Sequence, residues 1–266
     1  MVEKISDLMA GKRGLVMGVA NEKSIAWGIA RTLAAHGAEM AFTYQGEAFG
    51  KRVLPLAQSV GSSMIVDCDV TDEASMDAAF EQLNSEWGEL DFVVHAIAYA
   101  DKKELTGRFS DTSRANFLNS LDISCYSLID VSRRAAPMMK SGGAILTLSY
   151  LGAQRVTPNY NVMGVAKAAL ESTVRYLAND LGRDGIRVNA VSPGPMRTLA
   201  GAAIGDARKI YKQAEQNSPL RANASLDDVG GAALYMLSPL GGSTTGECLF
   251  VDGGFNITGM PQPENM

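Results

Sequence analysis

The chain has 266 residues, of which 46% are hydrophobic and 20% charged, a composition typical of a globular protein and not of a disordered or fibrous one. Its formal net charge of −5 argues against a general nucleic-acid-binding protein, with a local basic patch as the alternative. The sequence has no apolar signal segment and no run approaching about 18 apolar residues, so we expect a soluble cytoplasmic protein without a membrane partner.

The cysteines and histidines limit the covalent and metal chemistry that we expect. Cys68, Cys125 and Cys248 are odd in number and widely spaced, which fits a reducing compartment better than a disulfide framework. His36 and His95 lie far apart in the sequence with no cysteine pair near either. We therefore expect no metal site.

Short apolar runs alternate with segments of helical periodicity along the chain. The runs show little polar alternation, which is typical of strands buried on both faces of a parallel sheet. They cover residues 13–18, 38–44, 64–67, 91–96, 144–149, 187–192 and 247–252. Apolar residues recur at helical spacing in 25–33 and 76–83, and longer helices are predicted around 126–139 and 166–181.

This alternation predicts an α/β fold with a doubly wound, Rossmann-like parallel sheet of about seven strands and helices on both faces. A TIM barrel also alternates strand and helix, but a glycine-rich first turn favours the open sheet. No linker or shift in composition divides the sequence, so we expect a single domain over 1–266.

The first chemical signal is the turn after the first predicted strand, where residues 18–28 read GVANEKSIAWG. Small residues such as Gly18 and Ala20 let backbone N–H groups approach a ligand, and a helix that starts at Ser24 and Ile25 attracts a pyrophosphate. Ser24 is expected either to cap this helix or to bind phosphate. A tight turn without a ligand is the alternative, because the stretch lacks the GxGxxG spacing.

Polar residues at the ends of the second and third strands predict how a nucleotide is held. Gln45 can hydrogen-bond a ribose but offers no charge to a 2′-phosphate, which favours NADH over NADPH. Lys51 and Arg52 lie close enough in sequence to weaken this preference. Asp69, followed by Val70, is expected either to accept from the adenine amino group or to cap the next helix.

Small residues follow the fourth strand. Ala96, Ile97 and Ala98 suit close packing against a nucleotide or its substrate. His95, just before them, is expected to be a packed histidine with little catalytic weight.

A tyrosine and a lysine further along the chain are the candidates for the chemistry. Tyr160 and Lys167 are seven residues apart, so on a helix they share one face and point into one pocket. The ammonium can then hold ribose hydroxyls and make the phenol a better hydrogen-bond donor. For an isolated pair, the alternative is a surface lysine and a half-buried tyrosine.

Taken in order, these motifs resemble the short-chain dehydrogenase/reductase family, and more narrowly its enoyl-acyl carrier protein reductases of bacterial type II fatty acid synthesis. The general family has Tyr-x3-Lys with a serine thirteen residues before the tyrosine. At those two positions this chain has Met163 and Tyr150. The matching segments are the glycine turn, 69–70, 95–98, 121–124, Tyr160 with Lys167, 193–198 and 251–254.

The resemblance implies hydride transfer from NADH to C3 of a trans-2-enoyl thioester carried on acyl carrier protein. Tyr160 would stabilise the charge on the thioester oxygen, Lys167 would fix the nicotinamide ribose, and Tyr150 would line the pocket beside the thioester. Met163 cannot donate a proton, which favours reduction of C=C over C=O. A carbonyl reductase of the same superfamily and a non-catalytic nucleotide sensor are the alternatives.

The remaining expectations concern the segment after the sixth strand. Pro195, Met196 and Thr198 are expected at the cofactor, and residues 195–215 are expected to form a lid over the acyl chain. Within this region Ala200 and Ile204 would touch substrate, together with Ala98, Tyr150, Tyr160 and Met163.

Basic residues beyond this segment suggest a partner surface. Arg208, Lys209 and Lys212 can lie together at helical spacing and would suit docking of the acidic acyl carrier protein. An ordinary solvated helix face is the alternative. By analogy with the family, we expect a homotetramer.

Overall fold

The computed structural model describes residues 2–199, 201 and 205–266. Seven parallel strands form one sheet in the order β3-β2-β1-β4-β5-β6-β7, which confirms the predicted doubly wound architecture. Each strand end lies within one residue of its predicted position. The strands are β1 Arg13–Met17, β2 Glu39–Tyr44, β3 Ile65–Asp67, β4 Phe92–His95, β5 Gly143–Leu148, β6 Ile186–Pro193 and β7 Cys248–Val251.

The helices are α1 Ile25–Ala35, α2 Glu47–Ser59, α3 Glu73–Trp87, α4 Arg114–Leu121, α5 Ser127–Ala135, α6 Asn161–Leu181, α7 Ala207–Asn217 and α8 Leu226–Leu237. The prediction of a single helix around 126–139 is wrong, because the α-helix covers only Ser127–Ala135. A π-helical turn at Asp122–Tyr126 joins α4 to α5, and a 3₁₀ turn with a proline follows at Ala136–Met138. Within the part of the chain that the structure describes, no helix has both the length and the apolar character needed to span a membrane.

The core lies on both faces of the sheet, because successive strand residues point to opposite sides. On β1, Leu15 and Met17 pack with α3, α5 and α6 on one face, whereas Val16 packs with α1, α2 and α8 on the other. All three side chains are fully buried. Burying each one favours folding by about 2 kcal/mol, which explains why these strands read as continuous apolar runs.

Close packing of α1 against α8 depends on two glycines. A Cβ at Gly28 would lie 2.8 Å from the Cβ of Leu226, and a Cβ at Gly230 would lie 2.1 Å from Oγ1 of Thr32. The last glycine of the turn 18–28 therefore lets α1 approach its neighbour. This contact fixes the direction in which the N-terminus of α1 points.

Candidate active site

A cleft of about 2270 Å³ opens where the parallel strands end. Ligands in open α/β sheets bind at this edge. The predicted residues on its wall are Gly18, Ala20, Ser24, Ile25, Gln45, Asp69, Val70, Ala96, Ile97, Ala98, Tyr150, Tyr160, Lys167, Pro195, Met196 and Thr198. Met163 is buried beside Tyr160 instead, with its sulfur 3.8 Å from Ser124 Oγ, and Ala200 and Ile204 lie outside the described residues.

The first turn of the cleft is shaped by Gly18. Its φ is +93°, and a Cβ there would lie 2.1 Å from the carbonyl oxygen of Ala96. Only glycine allows this contact between the turn after β1 and the segment after β4. The turn therefore brings both segments to the same wall of the cleft.

Ser24 holds the turn in place and leaves the start of α1 open. Its buried hydroxyl accepts from the N–H groups of Ala20 at 3.0 Å and Asn21 at 3.1 Å, and it makes no capping hydrogen bond to the helix. The capping interpretation of Ser24 is therefore wrong. The N–H groups of Ile25 and Ala26 have no intrahelical partner and lie at the cleft, an arrangement that suits an anion such as a pyrophosphate.

Gln45 and Asp69 meet at the ends of β2 and β3. Gln45 Nε2 donates to Asp69 Oδ2 at 2.8 Å, and Thr71 donates to Oδ1 through both its backbone and its hydroxyl. Although partial burial acts in the opposite direction, the hydrogen bonds from Thr71 and Gln45 lower the pKa of Asp69. The pair presents acceptor oxygens and a negative charge, which suit ribose hydroxyls or an adenine amino group and repel a 2′-phosphate.

The cap of α3 is Asp72 and not Asp69. Asp72 accepts from the N–H groups of Ala74 and Ser75, so the helix-capping alternative for Asp69 is wrong. Asp69 remains at the cleft wall with its carboxylate available to a ligand.

The two basic residues near Gln45 have other partners. Lys51 pairs with Glu47 at 2.7 Å along α2, and the guanidinium of Arg52 lies 5.8 Å from the centre of the Phe49 ring. Of these residues only Phe49 reaches the cleft wall.

Tyr160 lies just before α6, which begins at Asn161, and Lys167 lies in the second turn of this helix. The Tyr160 ring packs edge-on against Tyr150, with ring centres 4.9 Å apart. It also lies so close to Gly152 that a Cβ there would be 2.3 Å from the ring, which fixes the phenol against the turn after β5.

Burial sets the protonation of these groups. It raises the pKa of Tyr160 far above its ordinary value and that of Tyr150 to about 12, so both phenols keep their protons at neutral pH. Burial lowers the pKa of Lys167 to about 8. Its ammonium donates to the carbonyl oxygen of Leu148 at 2.8 Å. This leaves two of its three protons for a ligand.

His95 is a packed residue, in agreement with the expectation from the sequence. Its imidazole lies between the hydroxyls of Thr147 at 3.0 Å and Ser127 at 2.8 Å and is fully buried. Burial and the nearby Lys167 lower the pKa of His95 to about 3, so the ring is neutral.

Sequence reasoning missed Asn119 and Ile123, which line the cleft from α4 and the π-helical turn. Ser124 on this turn ties down the loop after β4, because its hydroxyl accepts from Tyr99 N–H at 2.9 Å and donates to the Tyr99 carbonyl at 3.1 Å. The residues 121–124 match the family resemblance, but a helical period of 3.6 gives no sign of the extra residue in a π-turn.

The described residues of the segment after β6 line the cleft. Thr198 Oγ1 accepts from the N–H of Gly201 at 2.9 Å, and the Arg197 guanidinium stacks 4.4 Å from the centre of the Tyr211 ring. The stacking ties this segment to α7. The cleft wall continues along α7 with Arg208, Lys209 and Lys212, of which Lys209 pairs with Asp206 at 2.9 Å.

Comparison with known proteins gives a consistent set of relatives. A family model described as "Enoyl-(Acyl carrier protein) reductase" matches residues 18–256. A Rhizobium meliloti protein named "Enoyl-[acyl-carrier-protein] reductase [NADH] 2" is 58% identical over 260 residues, which cover 98% of this chain and 97% of that protein.

Solved structures agree. The Anaplasma phagocytophilum reductase, crystallised in complex with NAD, is 57% identical with a TM-score of 0.95 and covers 98% of this chain and 99% of its own. The Bacillus cereus enoyl-acyl carrier protein reductase, solved with NADP⁺ and an indole naphthyridinone, is 48% identical with a TM-score of 0.94. The match covers 96% of this chain and 100% of that one.

Gly18→Ala tests the geometry of the first turn. The added Cβ would overlap the Ala96 carbonyl and displace the turn, whose N–H groups we expect to face the cofactor pyrophosphate. We expect the Kd for NADH, measured by fluorescence titration, to rise about tenfold, which corresponds to about 1.4 kcal/mol. Gly61→Ala is the matched control, because Gly61 has a φ of +80° but no atom within 4 Å of its Cβ position. Equal Kd values in both variants would contradict this view of the turn.

Proposed function

The chain belongs to the enoyl-(acyl carrier protein) reductase family, and we propose that it reduces a trans-2-enoyl thioester on acyl carrier protein with NADH. This reaction is the last reductive step of fatty acid elongation. The observation that carries the proposal is the convergence of Tyr160, Tyr150 and Lys167 on the same cleft as the open N-terminus of α1. Bound NADH supplies the hydride that adds to C3 of the enoyl group.

Tyr160 stabilises the charge that develops during this reduction. Addition at C3 places negative charge on the thioester oxygen, and a protonated phenol is the donor that this oxygen requires. The high pKa of the buried Tyr160 keeps its proton in place. The surrounding burial strengthens the hydrogen bond, since little water competes for it.

Lys167 holds the ribose. One ammonium proton is used by the Leu148 carbonyl, which fixes the direction of the side chain, and the others can donate to ribose hydroxyls. Positioning of this kind accelerates a transfer that needs close and aligned approach.

The environment of Met163 favours C=C reduction over the carbonyl-reductase alternative. Its side chain packs in the buried cluster with Leu105, Val162 and Tyr160 and offers no proton to the cleft. A carbonyl reductase must protonate the former carbonyl oxygen, whereas enoyl reduction needs a proton on C2, which water can deliver. Tyr160 and Lys167, both in place, disfavour the non-catalytic sensor.

NADH is the proposed cofactor because of the charge next to Gln45. The Asp69 carboxylate, 2.8 Å from the Gln45 amide, disfavours the extra phosphate of NADPH. Lys51 and Arg52 do not offset this charge at the wall of the cleft, since neither lines it.

We propose that residues 195–215 form a lid over the acyl chain and that α7 receives acyl carrier protein. The described part of this segment lines the cleft on both sides of its gaps, through 195–199, Gly201 and 206–212. Arg208 and Lys212 are exposed one helical turn apart, which gives an acidic partner two adjacent cations at the rim.

We propose a homotetramer, because apolar side chains are exposed on two separate parts of the chain. One group lies on α4, the π-turn, α5 and α6 and consists of Leu118, Tyr126, Ile129, Val165 and Tyr176. The other surrounds edge strand β7 and consists of Tyr235, Leu240, Leu249, Ile257 and Met260. A tetramer of twofold symmetry requires two separate interfaces, and these two groups supply an apolar surface for each.

We also propose that the protein acts in the cytoplasm. Cys68, Cys125 and Cys248 carry free thiols, which suit a reducing compartment.

Tyr160→Phe tests the role of the phenol. Loss of the donor is expected to lower kcat for a crotonyl thioester by about 10²–10³-fold, because one oxyanion donor contributes that much. Tyr150→Phe, which removes the neighbouring hydroxyl, should lower kcat less than tenfold. Near-normal turnover in Tyr160→Phe would remove the phenol from the mechanism.

Charge reversal tests docking on α7. Arg208→Glu/Lys212→Glu should raise KM for carrier-bound substrate roughly fivefold and leave KM for a short thioester unchanged, because only the carrier is acidic. Lys140→Glu/Arg183→Glu is the control, since both residues are exposed near the amino-terminal ends of β5 and β6, away from the cleft at the carboxyl ends. Equal effects on the two substrates would defeat the docking proposal.

Light scattering of the purified chain tests the assembly. We expect a mass of four chains, and Leu249→Glu on the edge strand should reduce it by placing a charge in an apolar interface. Ile5→Glu, at another exposed position, is the control. A monomeric parent chain would contradict the proposal.

A further inference from the structure

Glu171 is a buried carboxyl group that the mechanism above does not use. Its side chain is only 6% exposed, and it follows Lys167 by one turn of α6, so the two lie on the same helix face. Burying a carboxylate costs free energy unless other groups compensate its charge. The surroundings of Glu171 show what compensates it here.

Neutral donors surround the Glu171 carboxyl. Ser149 Oγ donates to Oε1 at 2.6 Å, Gln154 Nε2 donates to Oε2 at 3.0 Å, and Cys248 Sγ lies 3.5 Å from Oε1. Among the ion pairs of the described residues, none involves Glu171. Donors alone converge on the oxygens, which is the arrangement that a carboxylate accepts.

Lys167 and Glu171 bind consecutive residues at the end of β5. The Lys167 ammonium donates to the carbonyl of Leu148, and the hydroxyl of the next residue, Ser149, donates to Glu171. Tyr150 follows directly at the cleft wall. Lys167 and Glu171 on α6 therefore both hold the end of β5, which Tyr150 follows in the chain.

The other titratable groups near Lys167 and Glu171 do not supply the negative charge that compensates the Lys167 ammonium. His95 on β4 is neutral, and the phenols of Tyr150 and Tyr160 keep their protons. Cys125, a free cysteine on the π-turn, also lies near Lys167. Near Glu171, the exposed Arg175 on α6 and the Cys248 thiol on β7 complete the set. Burial lowers the pKa of Lys167, and Cys125 and Glu171 act in the opposite direction.

We propose that Glu171 is a positioning residue whose buried carboxylate compensates the Lys167 ammonium and keeps it charged against the end of β5. The inference rests on the proposed function, because it gives Lys167 the task of holding the NADH ribose. Glu171 acts through Lys167 and touches neither cofactor nor substrate.

Removing the negative charge has a defined consequence for pH dependence. A nearby anion favours the protonated form of a lysine, so its removal lowers the pKa of Lys167 further below its present value of about 8. The ammonium is then lost at a lower pH. As the pH rises, reduction of the enoyl thioester and binding of NADH should therefore both be lost at a lower pH than in the parent chain.

The test compares Glu171→Gln with the parent chain from neutral to alkaline pH. The amide keeps the shape and can still bond Ser149, but it has no charge. We expect the alkaline midpoint of kcat/KM for a crotonyl thioester, and that of the NADH Kd, to fall by about one pH unit. Glu81→Gln, which neutralises an exposed carboxylate on α3, should leave both midpoints unchanged.

The two readouts separate the inference from the proposed function. An unchanged midpoint of NADH binding in Glu171→Gln overturns the role of Glu171, whatever the turnover. Absence of enoyl reduction in the parent chain overturns the proposed function, and the NADH midpoint then still decides whether Glu171 compensates Lys167. If Glu171→Gln does not fold, Glu171→Asp carries the test: its retracted charge should shift the NADH midpoint in the same direction by less, and no shift overturns the proposal.

Discussion

The strands of the sheet are all parallel, so their carboxyl ends meet along one edge. Loops that are far apart in sequence are therefore brought into one cleft: the turn at Gly18, the segment after Ala96 and the strand end at Tyr150. The burial of both sheet faces holds this edge rigid, because each strand contributes side chains to two apolar clusters. The position of the site is thus a consequence of how the core is built.

Within the cleft, burial determines which groups carry charge. It keeps the Tyr160 phenol protonated and makes His95 neutral, and it weakens the hold of Lys167 on its proton. The carboxylate of Glu171 lies on the same helix face as Lys167. The chemistry that we propose needs a neutral donor and a cation side by side, and the fold provides both.

Strands were predictable to within one residue because burial on both faces leaves continuous apolar runs, such as those of β1 and β4. Elements whose bounds depend on hydrogen-bond geometry were not predictable in this way. The π-turn at Asp122–Tyr126 adds a residue without changing the apolar pattern, so the sequence showed no sign of it and the helix was predicted only around 126–139.

The candidate site shows the same division between pattern and local geometry. The spacing of Tyr160 and Lys167 predicted their common cleft, although Tyr160 precedes the helix. The role of Ser24 and the choice of Asp72 over Asp69 as a cap depended on which N–H groups lie within reach. The contacts of Glu171 also required the structure, because Ser149, Gln154 and Cys248 come from three separate parts of the chain.

The most direct test of the account is the oxidation of NADH, followed by absorbance, with a crotonyl thioester and with a 3-ketoacyl thioester in parallel. The account predicts oxidation with the enoyl substrate, faster with NADH than with NADPH, and none with the ketoacyl substrate. Oxidation with the ketoacyl substrate alone would contradict it, since the protein would then reduce C=O despite Met163.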